Sequence, residues 1–455
     1  MASTAVGTCV LRAYDVRTLP LSLLVGLMAC TGAPTDGGAV DARVTLDANA
    51  APSPDAALEP DAAGERDAGA DAGPTRDSGE GLDAGPTAHA LAPNDVSILI
   101  PLPSPPQPRA DFLWLIPRAA GESGPYFPAH RVDELPTLNA DVPDSLGYPS
   151  AMVVALRYDP CARVTPGGPC AAKLRLVAQP VPYTGAAAPA LLDDSAVHLF
   201  YALTATASRD VAGALAALAA ASPVDTGGPL SVHPTLLAEG PGGPFGRGLR
   251  ALVLAHCRAD NLTRVTVNTF AMDNWGFQQF AWRDDHFEVE PLQHLREAST
   301  SQAWLRQAER ESLDDPAGTI TPAPLRSFAY LHDLASYRAP DPVRTASAVA
   351  TLARVENPRL TTPEGADCVS CHVASQTRTF AERRGLSFEG IAESYVPPPG
   401  VEARLVQPPE LRGNLGATIL FGYHVLTRDE RVLPSIGRRV VYETAEVLAY
   451  LAARR

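Results

Sequence analysis

The chain has 455 residues, more than one ordinary domain needs, and a formal net charge of −14. The charge is lopsided: residues 31–90 hold twelve acids against three arginines, a net of −9, and residues 1–30 add +1. The remainder is an ordinary acidic globular balance with no basic stripe among aromatics, so nucleic-acid binding has no support, and Lys173 is the sole lysine, which leaves no lysine for a phosphate loop.

Residues 19–29 form an apolar run of signal-peptide length, too short to span a bilayer as a permanent helix. Arg12 and Arg17 precede it, and Cys30 follows Leu27-Met28-Ala29 directly. The arrangement resembles the lipobox of bacterial lipoproteins. That resemblance implies a signal peptide over 1–30, lipidation of Cys30 and export from the cytoplasm. Thr31 in place of aspartate after the cysteine implies the outer membrane. A start at Val16 would give a compact basic leader free of Cys9 and Asp15.

Residues 31–94 are Asp, Ala, Gly, Pro, Thr and Ser with almost no large apolar side chain, and Asp-Ala-Gly recurs at Asp67, Asp71 and Asp83. Such a segment buries too little apolar surface to offset its ordering entropy, so it is expected to be disordered. As a flexible coil of about 64 residues it reaches about 45 Å, enough to hold a folded head away from a lipid anchor.

From 95 to about 310 the sequence turns to short apolar runs between turn residues, the pattern of a β-rich domain. Strands are expected at 111–117, 151–158, 173–179, 197–202, 250–256, 263–270 and 275–282. Asp284-Asp285 reads as a hairpin turn into 287–290. Residues 208–221 carry Val211, Leu215 and Leu218 at helical spacing, with Ser208 as the expected cap. A mostly antiparallel sheet with a helix against it follows, within an α+β class.

Cys161 and Cys170 end the two expected strands 151–158 and 173–179, which places them for a loop disulfide in an oxidising compartment. Cys257 reads as a buried structural thiol. Asp284, His286, Glu288 and Glu290 fall on one strand face, which suits a solvated hairpin better than a metal site. The glycines from Gly240 to Gly248 lack the spacing of a nucleotide-binding loop, and no hydrolase or zinc-protease motif is present.

Residues 311–455 are expected to be mainly helical. Phe328, Leu331 and Leu334 mark one helix over 325–337, and Val349, Leu352 and Ala353 a second over 342–355. Pro358 and Pro363 then break the chain. At the end, Val440, Val447, Leu448 and Leu451 set a closing helix over 436–453, with Arg438, Arg439, Glu443 and Glu446 elsewhere on it.

Between these helices stands Cys368-Val-Ser-Cys371-His372, the C-x-x-C-H pattern of c-type haem attachment. Two thiols add to the porphyrin vinyl groups, and the adjoining imidazole becomes the proximal iron ligand. Zinc suits the motif less well, because no second C-x-x-C is present. With the closing helix, the motif resembles single-haem c-type cytochromes over about the last 115 residues. That resemblance implies one covalent haem c held by Cys368, Cys371 and His372, and use in electron transfer.

The chain departs from those cytochromes at the distal side. Its methionines are Met1, Met28, Met152 and Met272, so none follows Cys371 to serve as the usual thioether ligand. His424 is a candidate distal ligand; a five-coordinate iron, or a reach from His332, His294 or Met272, are the other options. Arg378, Arg383 and Arg384 are candidates for neutralising the haem propionates.

Lipobox, tether and head together resemble lipoproteins of myxobacteria, a likeness that implies architecture and compartment without an activity. Two readings stand. One is a lipid-anchored extracytoplasmic haem protein, an electron carrier more than an enzyme, whose partners are redox proteins of the envelope. The other is a non-haem envelope lipoprotein with a binding or structural role, in which Cys368 and Cys371 form a disulfide.

Overall fold

The computed structural model describes residues 90–103, 113–116, 120–121, 124–138, 147–163, 166–181, 195–271, 274–292, 301–305, 323–362, 368–399, 420–426 and 431–454. Cys30, nearly all of the expected tether, Met272 and His294 lie outside them. In chain order, α1 (Pro93–Val96) and β1 (Ser97–Leu99) lead to a two-residue ladder, β2 (Ala120–Gly121) with β3 (Gly124–Pro125). Then come β4 (Ala151–Arg163), β5 (Cys170–Pro180), β6 (Ala196–Leu203), α2 (Ala205–Ala220), α3 (Pro234–Glu239) and α4 (Pro244–His256). The strands β7 (Leu262–Ala271), β8 (Asn274–Arg283), β9 (His286–Glu290) and β10 (Ser301–Leu305) complete that half. The C-terminal part holds α5 (Ala323–His332), α6 (Leu334–Arg338), α7 (Pro342–Glu356), α8 (Cys368–Arg383), the hairpin β11 (Phe421–Leu426) and β12 (Arg431–Ile436), and α9 (Arg438–Ala452).

The organising element is an antiparallel sheet in the order β1-β4-β5-β6-β7-β8-β10. The short strand β9 pairs with the Gln279–Arg283 end of β8, and β10 with the Asn274–Gln278 end. Asp284 and Asp285 turn β8 into β9 with φ of 47° and 65°, the left-handed pair a two-residue hairpin turn needs. A disulfide joins Cys161 to Cys170 across β4 and β5, with Cα atoms 4.7 Å apart.

Strand alternation gives the sheet two different faces. On one, Leu156, Leu176, Leu199, Val265 and Phe280 line up across five strands and pack on α2 and α4 through Val211, Leu215, Leu249, Leu252 and Val253. Each of these side chains is buried, and full burial of such a side chain stabilises by about 1.5–3 kcal/mol. Cys257 is buried in the same layer.

The C-terminal part covers the opposite face, and Ser78–Arg455 form one compact unit. At the β8 end, Trp275 and Phe277 pack with Phe328, Leu331, Val349, Leu352, Val369 and Val373 of α5, α7 and α8. At the β1 and β4 end, Leu99, Met152 and Val154 pack with Phe421, Tyr423, Val440, Val441 and Ala445. The Gln179 side chain exchanges two hydrogen bonds with the Tyr423 backbone, 2.7 and 2.9 Å, which pins β11 over β5.

Several sequence expectations shift. Residues 250–256 are not a strand but the C-terminal half of α4, because Phe245, Leu249, Leu252 and Val253 share one helical face and Pro244 opens the helix. Thr204, not Ser208, caps α2, accepting from the Ala207 amide at 3.1 Å; Ser208 lies inside the helix and hydrogen-bonds the Tyr158 hydroxyl at 2.8 Å. The helix expected over 325–337 is interrupted at Asp333, which caps α6. The C-terminal part also carries the β11–β12 hairpin. Folded structure begins by Leu91 and Ala92, both buried, a few residues before the expected boundary.

Candidate functional site

Between the two apolar patches of the covered face runs a polar stripe. Arg157, Arg175, Phe200 and Arg264 are register partners on β4, β5, β6 and β7. One pleat further, Val177, His198, Thr266 and Gln279 are partners on β5, β6, β7 and β8. A β-sheet face carrying three arginines and a histidine on interior strands needs a counterpart, since buried charge is costly unless paired.

Part of that counterpart is α9. Arg157 donates to Glu443, which also accepts from Arg439 Nε at 2.8 Å. Arg439, 1% exposed, donates further to the carbonyls of Val355 and Thr361 and so ties α9 to the end of α7. Burial alone would raise the Glu443 carboxyl, but Arg157, Arg439 and Arg175 together hold it down at about 2. Arg439 and Glu443 thus face inward, against the expectation that they lie off the packed side of the closing helix.

The rest of the stripe floors a cleft of about 120 Å³. Its other wall is the first turn of α8: Cys368, Cys371 and His372 all border the cleft. The spacing explains this. Residues three and four apart share a helix face, so both thiols and the imidazole open to the same side. No disulfide joins Cys368 to Cys371.

The His372 ring is wedged against the sheet, 5.0 Å from the Phe277 ring centre and 5.7 Å from that of His198. Burial, then Arg175 and His372, push His198 well below the ordinary imidazole range, so its ring is neutral at pH 7. Burial and the adjacent Arg157 pull Arg175 down to about 10, which still leaves it protonated at neutral pH. Arg175 Nε is buried with no hydrogen-bond partner among the described residues. Arg163 and Lys173 also border the cleft.

These residues fit a covalent haem. Cys368, Cys371 and His372 share one opening, and Arg163, Lys173 and Arg175 border it as cations of the kind a propionate pairs with. A haem iron needs only one or two protein ligands. Among the described residues no group of three or more His, Cys, Asp and Glu gathers in metal-binding fashion.

The other candidates lie elsewhere. His424 is 2% exposed on β11 and does not border the cleft. His332 hydrogen-bonds Thr377 at 3.0 Å and stacks on Phe380, further along α8. Arg378 is taken up by Glu356 and Glu382, at 2.8 and 2.9 Å, and lies over Phe388; Arg384 lies over Phe380. Apart from Arg439 of α9, the cations that border the cleft come from the sheet instead. Asp284, His286, Glu288 and Glu290 belong to a hairpin rim, where His286 pairs with Glu288 and Arg283 with both glutamates.

His198 was invisible to motif reading, because no spacing links it to Cys368-Val-Ser-Cys371-His372. The available signal was the interior charge itself: Arg157, Arg175 and Arg264 each sit within a segment that reads as a strand.

No protein-family model, curated protein or solved structure matches the chain.

Proposed function

We propose that the chain is a lipid-anchored, extracytoplasmic c-type haem protein that carries electrons among redox proteins of the envelope. One observation carries the proposal: Cys368, Cys371 and His372 border one cleft together with the cations Arg163, Lys173 and Arg175. Cys368 and Cys371 would hold the porphyrin by thioether bonds, and His372 would be the proximal ligand. Haem, once bound, supplies a one-electron couple. The contact with Phe277 fixes the imidazole ring of His372, and Arg175, with Arg163 and Lys173 beside it, offers cations to propionates. Residues of α8 and α9 wall the cleft on one side.

The anchor rests on the lipobox-like Cys30 and the acidic tether. Attachment through Cys30 would supply the membrane contact; among the described residues no helix is long and apolar enough to cross a membrane.

The test is intact-mass analysis of the full chain matured in a host with the haem-attachment machinery. A mass gain of one haem that survives denaturation is expected, with a single thioether left in Cys368→Ser and none in the Cys368→Ser/Cys371→Ser pair. An unmodified mass, or a gain unaffected by the pair of substitutions, would overturn the proposal.

A further inference from the structure

The distal side of the iron is the open question of this site, since no methionine follows Cys371. Three features single out His198. Its ring centre lies 5.7 Å from that of His372. Two imidazoles on opposite sides of one metal ion, each bonded at about 2.0–2.1 Å, place their ring centres about 6 Å apart. Both rings border the same cleft, together with the two attachment thiols. They also arrive from opposite walls, His372 from α8 and His198 from the central strand β6.

The strand context adds rigidity. His198 pairs in register with Val177 on β5 and Thr266 on β7, so its Cα is held by ladders on both sides. Its ring also stacks at 6.5 Å on that of Phe200, the next residue on the same face. A ligand on a central strand is held more precisely than one on a loop.

We infer that His198 is the second axial ligand, so that one iron is clamped between the sheet and the helical part by His198 and His372. This rests on the haem reading above. The iron would then be six-coordinate and low-spin in both oxidation states. Its potential would be lower than that of a histidine–methionine site. The same bond would tether the C-terminal part to β6, linking haem content to the seating of the helical layer on the sheet.

The experiment compares matured full chain with His198→Ala, His198→Met and His424→Ala, all quantified for covalent haem. Near-infrared magnetic circular dichroism of the oxidised wild type is expected to report two imidazole ligands. His198→Ala is expected to keep its haem, become high-spin, bind carbon monoxide when reduced, and return to low spin as imidazole is titrated in. His198→Met is expected to keep low spin with a thioether signature and a raised potential. His424→Ala is expected to match wild type. Haem-loaded wild type without the bis-imidazole signature overturns the assignment, as does a His198→Ala spectrum identical to wild type. Should His198→Ala fail to accumulate, the wild-type signature and His198→Met decide. A wild type that carries no haem overturns the haem reading itself.

Discussion

Arg157 on β4 and Glu443 on α9, 286 positions apart in sequence, form a buried ion pair that fastens the closing helix to the sheet. Arg439 completes the cluster from the same helix, one turn earlier. Removing one member of such a cluster strands the others' charge away from water. Glu443→Gln is therefore expected to destabilise the chain by about 3–5 kcal/mol in thermal or urea unfolding, while Glu446→Gln, which breaks a half-exposed pair with Arg359, costs below about 1 kcal/mol. Equal effects of the two would contradict the role given to the cluster.

The same carboxylate sets an acid limit. Its folded-state value of about 2 lies below the ordinary 4.5, so its contribution is fully present above pH 4.5 and is lost as pH falls towards 2. At about 1.4 kcal/mol per unit this amounts to about 3 kcal/mol. The stability of Glu443→Gln, followed between pH 5 and 2, should show a correspondingly shallower slope than wild type.

A second window opens at milder acidity. Burial lowers both His233 and His332 from 6.5 to about 4, so each stays neutral in the fold while the unfolded chain takes up its proton. Stability is therefore full above pH 6.5 and falls as pH drops from 6.5 to 4. His233 lies against Phe245 with ring centres 4.3 Å apart, and its Nδ1 accepts from the Leu236 amide. In His233→Asn and His332→Gln, which keep a hydrogen-bonding side chain without a proton to gain, the melting temperature should vary less between pH 7 and 4. An unchanged slope in both would refute the burial argument.

The Cys161–Cys170 bridge closes a loop of sequence separation 9. Constraining so short a loop in the unfolded chain is worth about 2–3 kcal/mol. Cys161→Ser/Cys170→Ser should lose that amount in urea unfolding.

Two glycines in helices should respond in opposite directions. A Cβ on Gly246 would come within 2.0 Å of the Pro241 carbonyl oxygen, so Gly246→Ala must push the backbone apart, at a cost of about 1–3 kcal/mol. Gly213 in α2 has nothing within 4 Å of a Cβ, and Gly213→Ala should stabilise by about 0.5–1 kcal/mol. Differential scanning calorimetry of the pair reads both signs at once.

The sheet was legible in the sequence because short apolar runs stand between turn residues, and Asp284-Asp285 marks its hairpin. The segment 250–256 misled, since a short apolar run carries no period of its own and α4 becomes a helix only when Phe245 and Leu249 are counted with it. Cys368, Cys371 and His372 were legible as a local motif. Its surroundings were not: His198 and Arg175 reach Cys371 only through strand register, a long-range relationship that no local spacing encodes. Arg439 and Glu443 looked like a solvated helix face because each is charged, and only Arg157 across the interface reverses that reading.

The most direct test of the central claim is the pyridine haemochrome of the purified, matured full chain, read after acid–acetone extraction. The account predicts one haem per chain, retained by the protein, with the spectrum of a porphyrin joined through two thioethers. A folded chain with no haem absorption, or a haem that the solvent extracts, would contradict it.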